Sequence, residues 1–461
     1  MTSTTSLTGA VPVQGSRAVV VNSALASLLV IALSLAHGPA ISFLYDAAQY
    51  WNGPMALVNG GDAATAGALS MRGTLTPLVY LPPALVVSIL GPGSAAWTVL
   101  VWNSLFSAAV CVFLLPRLAA LVSNGPPLCR TWLSALIGGA LFSGFAQHPL
   151  LDVWAVGAAL TGLLALASGR HWWTAILGGV AFAISVNLRP SYAVPLVILA
   201  AVLVISQPRR VALMIPGVLL GLIPQFALNL ALYGSVSVLP YGTGSLATTQ
   251  AAQATYTIRY DTVLHLDRHP QQWYCDPEYA AQLVGDRAPT DQLGVVGSVL
   301  DHLPHSLWFL TEKTAASMQW SSVTPYAHAP TAGTSLTTLL VVGVASTGVV
   351  ALVTRAILYC RDRTKFAVTL AILGFWLGSL ATIVLSTPET RFAIPLVFVG
   401  LIGLLSALPV SLRAPRAMRL AVVGTSVSAL VAIALFGAGK AALSSPVPAG
   451  PLKSVSACAG L

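Results

Sequence analysis

The run Pro77-Leu78-Val79-Tyr80-Leu81-Pro82-Pro83-Ala84-Leu85-Val86-Val87-Ser88-Ile89-Leu90 decides how this chain is threaded. It is apolar enough for lipid, but it is short and carries Pro77, Pro82 and Pro83. A helix that crosses the hydrocarbon core needs about 17–25 apolar residues. Counting residues 77–90 as a span inverts every later connection, so the charges on either side must decide.

Runs of spanning length lie near 18–37, 97–118, 131–147, 151–168, 172–188, 191–207, 211–232, 334–356, 366–387, 392–410 and 419–438. With 77–90 left out, the short connections on the N-terminal side hold Arg117, Arg130, Arg170, Arg209, Arg210, Arg355, Arg361, Arg363, Lys365, Arg413, Arg416 and Arg419. Asp362 is the one acid among those twelve basic residues. Cytoplasmic connections are the ones enriched in Lys and Arg, so this side is expected inside. Residues 77–90 then form a helix on or dipping into the outer interface. The chain reads as an all-α polytopic membrane protein with about eleven transmembrane helices, N-terminus cytoplasmic. Residues 1–232 form a first transmembrane module with an external loop at 38–96. Residues 233–333 form a mixed external domain, and 334–461 a second transmembrane module with an external tail.

Composition agrees. The chain of 461 residues is 56% hydrophobic and 8% charged, with a mean hydropathy of +0.82, whereas a soluble domain is about 25% charged. The net charge of +9 is scattered in small groups with no aromatic-interleaved basic stripe, which excludes nucleic acid as a partner. A polar start, Met1 to Gly15, precedes Arg17 and the first apolar run. No small-residue cleavage site follows, so that run is expected to be retained. The five cysteines form no metal-binding spacing. Cys275 and Cys458 are the two expected outside, where a disulfide between them is permitted; two free thiols are the plainer alternative.

The acids sort against the bases. Asp46, Asp62, Asp152, Asp261, Asp267, Asp276, Glu278, Asp286, Asp291, Asp301, Glu312 and Glu389 all fall on the outer side, twelve of the thirteen in the chain. Candidate chemistry therefore lies there. Asp46 follows the first span in Phe43-Leu44-Tyr45-Asp46-Ala47-Ala48-Gln49-Tyr50-Trp51. A carboxylate at that depth is partly desolvated and suited to general-base work, with Tyr50 and Trp51 as neighbouring substrate contacts; its bland reading is a helix N-cap. Arg189 and Arg391 are basic residues in short outer turns, against the topology rule. A planar guanidinium matches a phosphate. The bland readings are a local pair with Glu389 for Arg391 and snorkelling for Arg189. His148 and Asp152 share another outer turn, and Arg72 precedes the interfacial run. Asn103 and Asn229, within spans, are expected to hydrogen-bond between helices. No charged side chain lies deep inside a span, so no proton relay or ion path is visible. Neither a phosphate-binding GxxxxGK[ST] loop nor HExxH occurs.

Taken together, the first-loop Asp46, the segment Thr76-Pro77-Leu78-Val79-Tyr80-Leu81-Pro82-Pro83, the basic span end Leu115-Pro116-Arg117 and the late Pro388-Glu389-Thr390-Arg391-Phe392 resemble the GT-C superfamily of polytopic glycosyltransferases. That superfamily includes protein O-mannosyltransferases and arabinosyl transferases. The resemblance implies a polyprenyl-phosphate sugar donor and transfer at the outer face of the plasma membrane, to a glycan, glycolipid or protein acceptor. It implies that Asp46 is the catalytic acidic residue and that Arg391 holds the donor phosphate; from their own positions Asp152 is the competing carboxylate, and Arg189 and Arg72 are further candidate phosphate contacts. His148 and Glu389 are further substrate contacts. No cofactor is required by these residues, no metal ligands are assigned, and a divalent cation is left open. Asp46 is followed by Ala47, where O-mannosyltransferases carry an Asp-Glu pair. Two other classes remain in view: an outer-face glycan polymerase or ligase, and a lipid or sugar transporter.

Overall fold

The computed structural model describes residues 16–62, 73–123, 127–169, 171–240, 243–261, 271–282, 289–326, 335–386, 388–407, 415–444 and 446–447. The N-terminal half is helical: α1 (Ser16–Leu35), α2 (Tyr45–Val58), α3 (Thr76–Leu90), α4 (Ala95–Ala109), α5 (Leu115–Leu121), α6 (Pro127–Phe142), α7 (Asp152–Ser168), α8 (Trp172–Leu188), α9 (Ala193–Ser206) and α10 (Pro208–Tyr233). There follow α11 (Thr243–Ala252), β1 (Tyr256–Asp261), β2 (Gln271–Cys275), α12 (Pro277–Gln282), α13 (Gln292–Asp301) and α14 (Leu303–Ser317). The chain ends with α15 (Ser335–Leu358), α16 (Arg363–Val384), α17 (Ile394–Ala407), α18 (Pro415–Ala442) and β3 (Pro446–Val447).

Among the described residues eight helical segments are long and apolar enough to cross a membrane: Arg17–Leu35, Pro92–Leu121, Leu128–Gln147, Pro208–Tyr233, Leu336–Leu358, Arg363–Val384, Thr390–Ala407 and Val422–Ala442. Four shorter apolar helices accompany them, α3, α7, α8 and α9. The last three stand where the sequence places spans, with 17, 17 and 14 residues. This is a predominantly helical polytopic membrane protein.

Two ends of the bundle can be told apart by their contacts. At one end arginines bind the carbonyls that terminate neighbouring helices, where the backbone has no partner of its own. Arg130 Nε donates to Leu405 O at 3.2 Å and Arg355 Nη2 to Ser406 O at 2.6 Å, both at the end of α17. Arg210 donates to Ala165 O at 3.0 Å and to Gly169 O at the end of α7, and Arg363 to Ile205 O at 2.9 Å at the end of α9. At the other end lie the described residues of the 233–333 segment and the short turns that hold Asp46, Asp152 and Glu389.

Close helix contacts depend on small residues, as expected where hydrophobicity cannot drive association. A Cβ on Gly348 of α15 would stand 1.8 Å from Gly400 O of α17, and one on Gly403 would stand 2.0 Å from Gly348 O. The π turn Val110–Leu114, which joins α4 to α5, directly precedes Pro116, which lacks a donor for the helical ladder.

Residues 77–90 do form a helix, α3, with Tyr80, Ala84 and Val87 buried and Leu78, Leu85 and Ile89 exposed. Pro83 leaves Val79 O without its helical donor, and Trp102 Nε1 supplies one at 3.0 Å. The start of α3 is tied to the end of α8 and to α10: Leu75 N donates to Asn187 Oδ1 at 2.9 Å and Thr74 N to Gln225 Oε1 at 2.8 Å. Only glycine fits at position 73, where a Cβ would lie 1.9 Å from Asn187 Oδ1.

Asn103 bridges helices as expected, accepting from Tyr80 Oη at 3.1 Å and Trp154 Nε1 at 3.0 Å and donating to His148 O at 2.9 Å. Asn229 corrects its expectation. Its amide donates to Ser237 O at 2.8 Å and Leu239 O at 2.7 Å, folding back the chain that leaves its own helix.

The described part of the 233–333 segment is mixed. β1, β2 and β3 form one antiparallel sheet in that order, with Arg259 opposite Trp273 and Trp273 opposite Val447. The tail after α18 therefore shares a side with the 233–333 segment. Cys275, at the end of β2, is disulfide-bonded, while Cys111, Cys129 and Cys360 are free. Cys458, its expected partner, lies outside the described residues.

Candidate functional site

Four turns and one strand bring the candidate residues together. Asp46 sits in the first turn of α2, but it is not the cap: the N-cap is Leu44, which makes no side-chain capping bond. Tyr45 before it has φ 51°, a left-handed conformation costly for a bulky side chain. Such a conformation persists only where surrounding contacts enforce it. Here the Asp46 carboxylate reaches Arg391, with Arg391 Nη2 to Asp46 Oδ2 at 2.7 Å, and Tyr50 Oη donates to the same oxygen at 3.4 Å.

Arg391 is held by the short turn before α17. It is buried, 2% exposed, and its Nε donates to Glu389 Oε2 at 2.6 Å. The local pair with Glu389 is therefore real, yet it uses only part of the guanidinium. Arg391 Nη1 is buried with no hydrogen-bond partner among the described residues. The other oxygen of Glu389 is ion-paired with Arg259 of β1, whose backbone N also donates to Pro388 O at 3.0 Å. Burial alone would push the Glu389 carboxyl up, but Arg259 and Arg391 outweigh it and hold the group below the usual carboxylate range.

Arg189, at the end of α8, is ion-paired with Asp152 at the start of α7. Both are buried, so Arg189 is not snorkelling. Arg189 Nε and Asp152 Oδ2 have no partner among the described residues. The Phe392 ring is shared by the two arginines, with guanidinium carbons 4.8 Å (Arg189) and 5.9 Å (Arg391) from its centroid. Cation–π contacts of this kind hold two like charges beside one ring.

His148 joins the edge of the cluster. Its ring meets Tyr326 edge-on at 4.8 Å, and Tyr326 also packs on Tyr45 at 5.7 Å and lies 6.0 Å below Arg391. Burial pushes the imidazole down to about 4, which keeps it neutral. Trp51 contacts Phe43, with ring centroids 5.5 Å apart, and packs against the core. Arg72 lies outside the described residues.

A cavity of about 470 Å³ opens beside the arginines. Asp152, Arg189 and Arg391 form its charged end, and the remainder is largely apolar, including Val194, Pro195, Leu239, Pro240, Leu246, Leu385, Phe392 and Pro395. Asp46 does not line it. Arg391 thus stands between the cavity and Asp46, whose side chain is 26% exposed. Among the described residues no three His, Cys, Asp or Glu side chains are grouped to hold a metal ion.

Sequence reasoning missed Arg259, Tyr326 and Phe392. The signal for Arg259 was the alternation in Tyr256-Thr257-Ile258-Arg259-Tyr260-Asp261, where Ile258 and Tyr260 are buried in the hydrophobic core and Arg259 points the other way. The chain matches no family model, no curated protein and no solved structure.

Proposed function

We propose that this protein is a membrane glycosyltransferase that moves a sugar from a polyprenyl-phosphate donor to an acceptor hydroxyl at the outer face of the plasma membrane. One observation carries the reading: two buried arginines, Arg391 and Arg189, whose Nη1 and Nε have no partner among the described residues, line the charged end of a largely apolar cavity. Buried donors without acceptors are costly, and an anionic head on an apolar chain satisfies both ends of this cavity. The GT-C resemblance names the donor class. The bundle then has about eleven spans, with α7, α8 and α9 completing the eight longer ones. The basic end faces the cytoplasm.

In this reading the donor phosphate takes up Arg391 and Arg189. It competes with Asp46 for Arg391, and a carboxylate released from an arginine is the stronger base. The acceptor oxygen forms a bond to the anomeric carbon, and its proton passes to Asp46. The bond from that carbon to the phosphate oxygen breaks, and polyprenyl phosphate leaves with the electron pair. Such proton transfer is typically worth 10²–10⁴-fold. The acceptor, a glycan, glycolipid or protein, approaches on the Asp46 side.

The test is binding of farnesyl phosphate, a short lipid phosphate, to the purified protein, with farnesol as the uncharged control. The reading expects the phosphate to bind more tightly. Equal affinity for the two removes it.

The convergence of Arg189, Arg259 and Arg391 beside His148 also suits an outer-face glycan polymerase or ligase. A polyprenyl-diphosphate glycan that outcompetes the monophosphate sugar as donor would favour that class.

A further inference from the structure

Arg259 comes from the external sheet, far in sequence from the membrane turns, yet it ends in the arginine–carboxylate cluster. Its guanidinium is ion-paired with Glu389 Oε1, and Glu389 Oε2 accepts from Arg391 Nε at 2.6 Å. One carboxylate therefore lies between two arginines. The position is doubly fixed, because Arg259 N donates to Pro388 O at 3.0 Å and the Arg259 guanidinium carbon lies 5.4 Å from the Trp273 ring centroid. Trp273 is directly opposite on β2, which in turn pairs with β3 of the tail.

Among the described residues the charges of the cluster balance. Arg189, Arg259 and Arg391 face Asp46, Asp152 and Glu389 through the pairs Arg189–Asp152, Arg259–Glu389, Arg391–Glu389 and Arg391–Asp46. Without Arg259, Glu389 is left to Arg391 alone among the described residues, and Arg391 also serves Asp46. An anion arriving at Arg391 would then meet a guanidinium already shared by two carboxylates in a poorly screened setting.

We infer that Arg259 is a positioning residue: it takes up the charge of Glu389 so that Arg391 keeps its own for the anionic head of the ligand. The external sheet thereby sets the affinity of a site built in the membrane turns. The inference rests on the lipid-phosphate reading above and adds to it a residue and a role that the cavity alone does not assign.

The experiment measures farnesyl phosphate and farnesol binding to the full-length protein and to four variants: Arg259→Gln, Arg259→Lys, Glu389→Gln and Arg259→Gln/Glu389→Gln. One uncompensated charge near a buried site is expected to change phosphate affinity about tenfold or more. Arg259→Gln should lose that much for farnesyl phosphate and nothing for farnesol, while Arg259→Lys stays near wild type. The double variant, which restores the balance, should recover to within about threefold of wild type. Glu389→Gln alone should bind the phosphate more tightly, which keeps the test alive should Arg259→Gln fail to fold. Parallel loss of phosphate and alcohol binding, no recovery in the double variant, or no gain in Glu389→Gln overturns the role. Wild type that does not prefer the phosphate overturns the underlying reading itself, and the inference with it.

Discussion

Arg391 concentrates the account at the scale of single residues. Its Nε and Nη2 are taken by Glu389 and Asp46, and its Nη1 is left over. Arg391→Lys should keep the protein folded, because an ammonium still neutralises the two carboxylates, but it cannot present a fork. The expected result is donor-phosphate affinity weakened about tenfold to a hundredfold, the worth of a charge-assisted bond of 1.5–3 kcal/mol, measured by titration with farnesyl phosphate. Unchanged affinity would remove Arg391 as the phosphate ligand. Much of this cluster was legible beforehand: Asp46, Asp152, Arg189, Glu389 and Arg391 each sit against the apolar or charge pattern of their short turns. What sequence could not give was who pairs with whom. The bland pair Glu389–Arg391 and the functional contact Asp46–Arg391 coexist, because one guanidinium serves both. Arg259 escaped because the alternation that sets it apart from Ile258 and Tyr260 does not say which turn it meets.

At the scale of elements, helix boundaries followed hydropathy closely, since bilayer thickness dictates length. The contacts between helices did not follow, because they rest on glycines whose partners lie far away in sequence. Gly348→Val should separate α15 from α17, since its Cβ position is 1.8 Å from backbone at Gly400. Overpacking of that kind costs at least 1–3 kcal/mol, which a lowered unfolding temperature in detergent would report. In the segment between α10 and α15, Glu312 of α14 is pushed up to about 8, first by burial and then by the neighbouring Asp276, with which it shares a hydrogen bond. A carboxyl whose folded pKa is raised favours the folded state below its unfolded value near 4.5 and loses that contribution as pH rises through about 8. Hydrogen exchange in α12 and α14 should therefore quicken between pH 5 and 8 beyond the intrinsic rate, on the scale of model carboxyl titration. Glu312→Gln should abolish that excess. Equal pH dependence in the variant would show that Glu312 is not the group involved.

Across the whole molecule, the short apolar run at 77–90 determined the threading, and the charge asymmetry that resolved it has a structural counterpart. Arg130, Arg210, Arg355 and Arg363 bind helix-terminal carbonyls at one end, where cations also favour the helix dipole, and the carboxylates gather at the other. Cys129 and Cys360 are exposed thiols at the basic end. In intact cells both should resist an impermeant maleimide until the membrane is permeabilised, whereas Gly297→Cys in α13 should react at once; labelling of Cys360 from outside would invert the topology. The central claim is transfer from a lipid phosphate with Asp46 as base. It is tested most directly by incubating purified protein with synthetic polyprenyl-phosphate hexoses and pentoses and a membrane-derived acceptor fraction, and measuring released polyprenyl phosphate. The account predicts release by wild type and, in Asp46→Asn, a fall of about 10²–10⁴-fold with donor binding retained, because the amide keeps the shape and loses the base. No release from any donor, or near-normal release in Asp46→Asn, contradicts it.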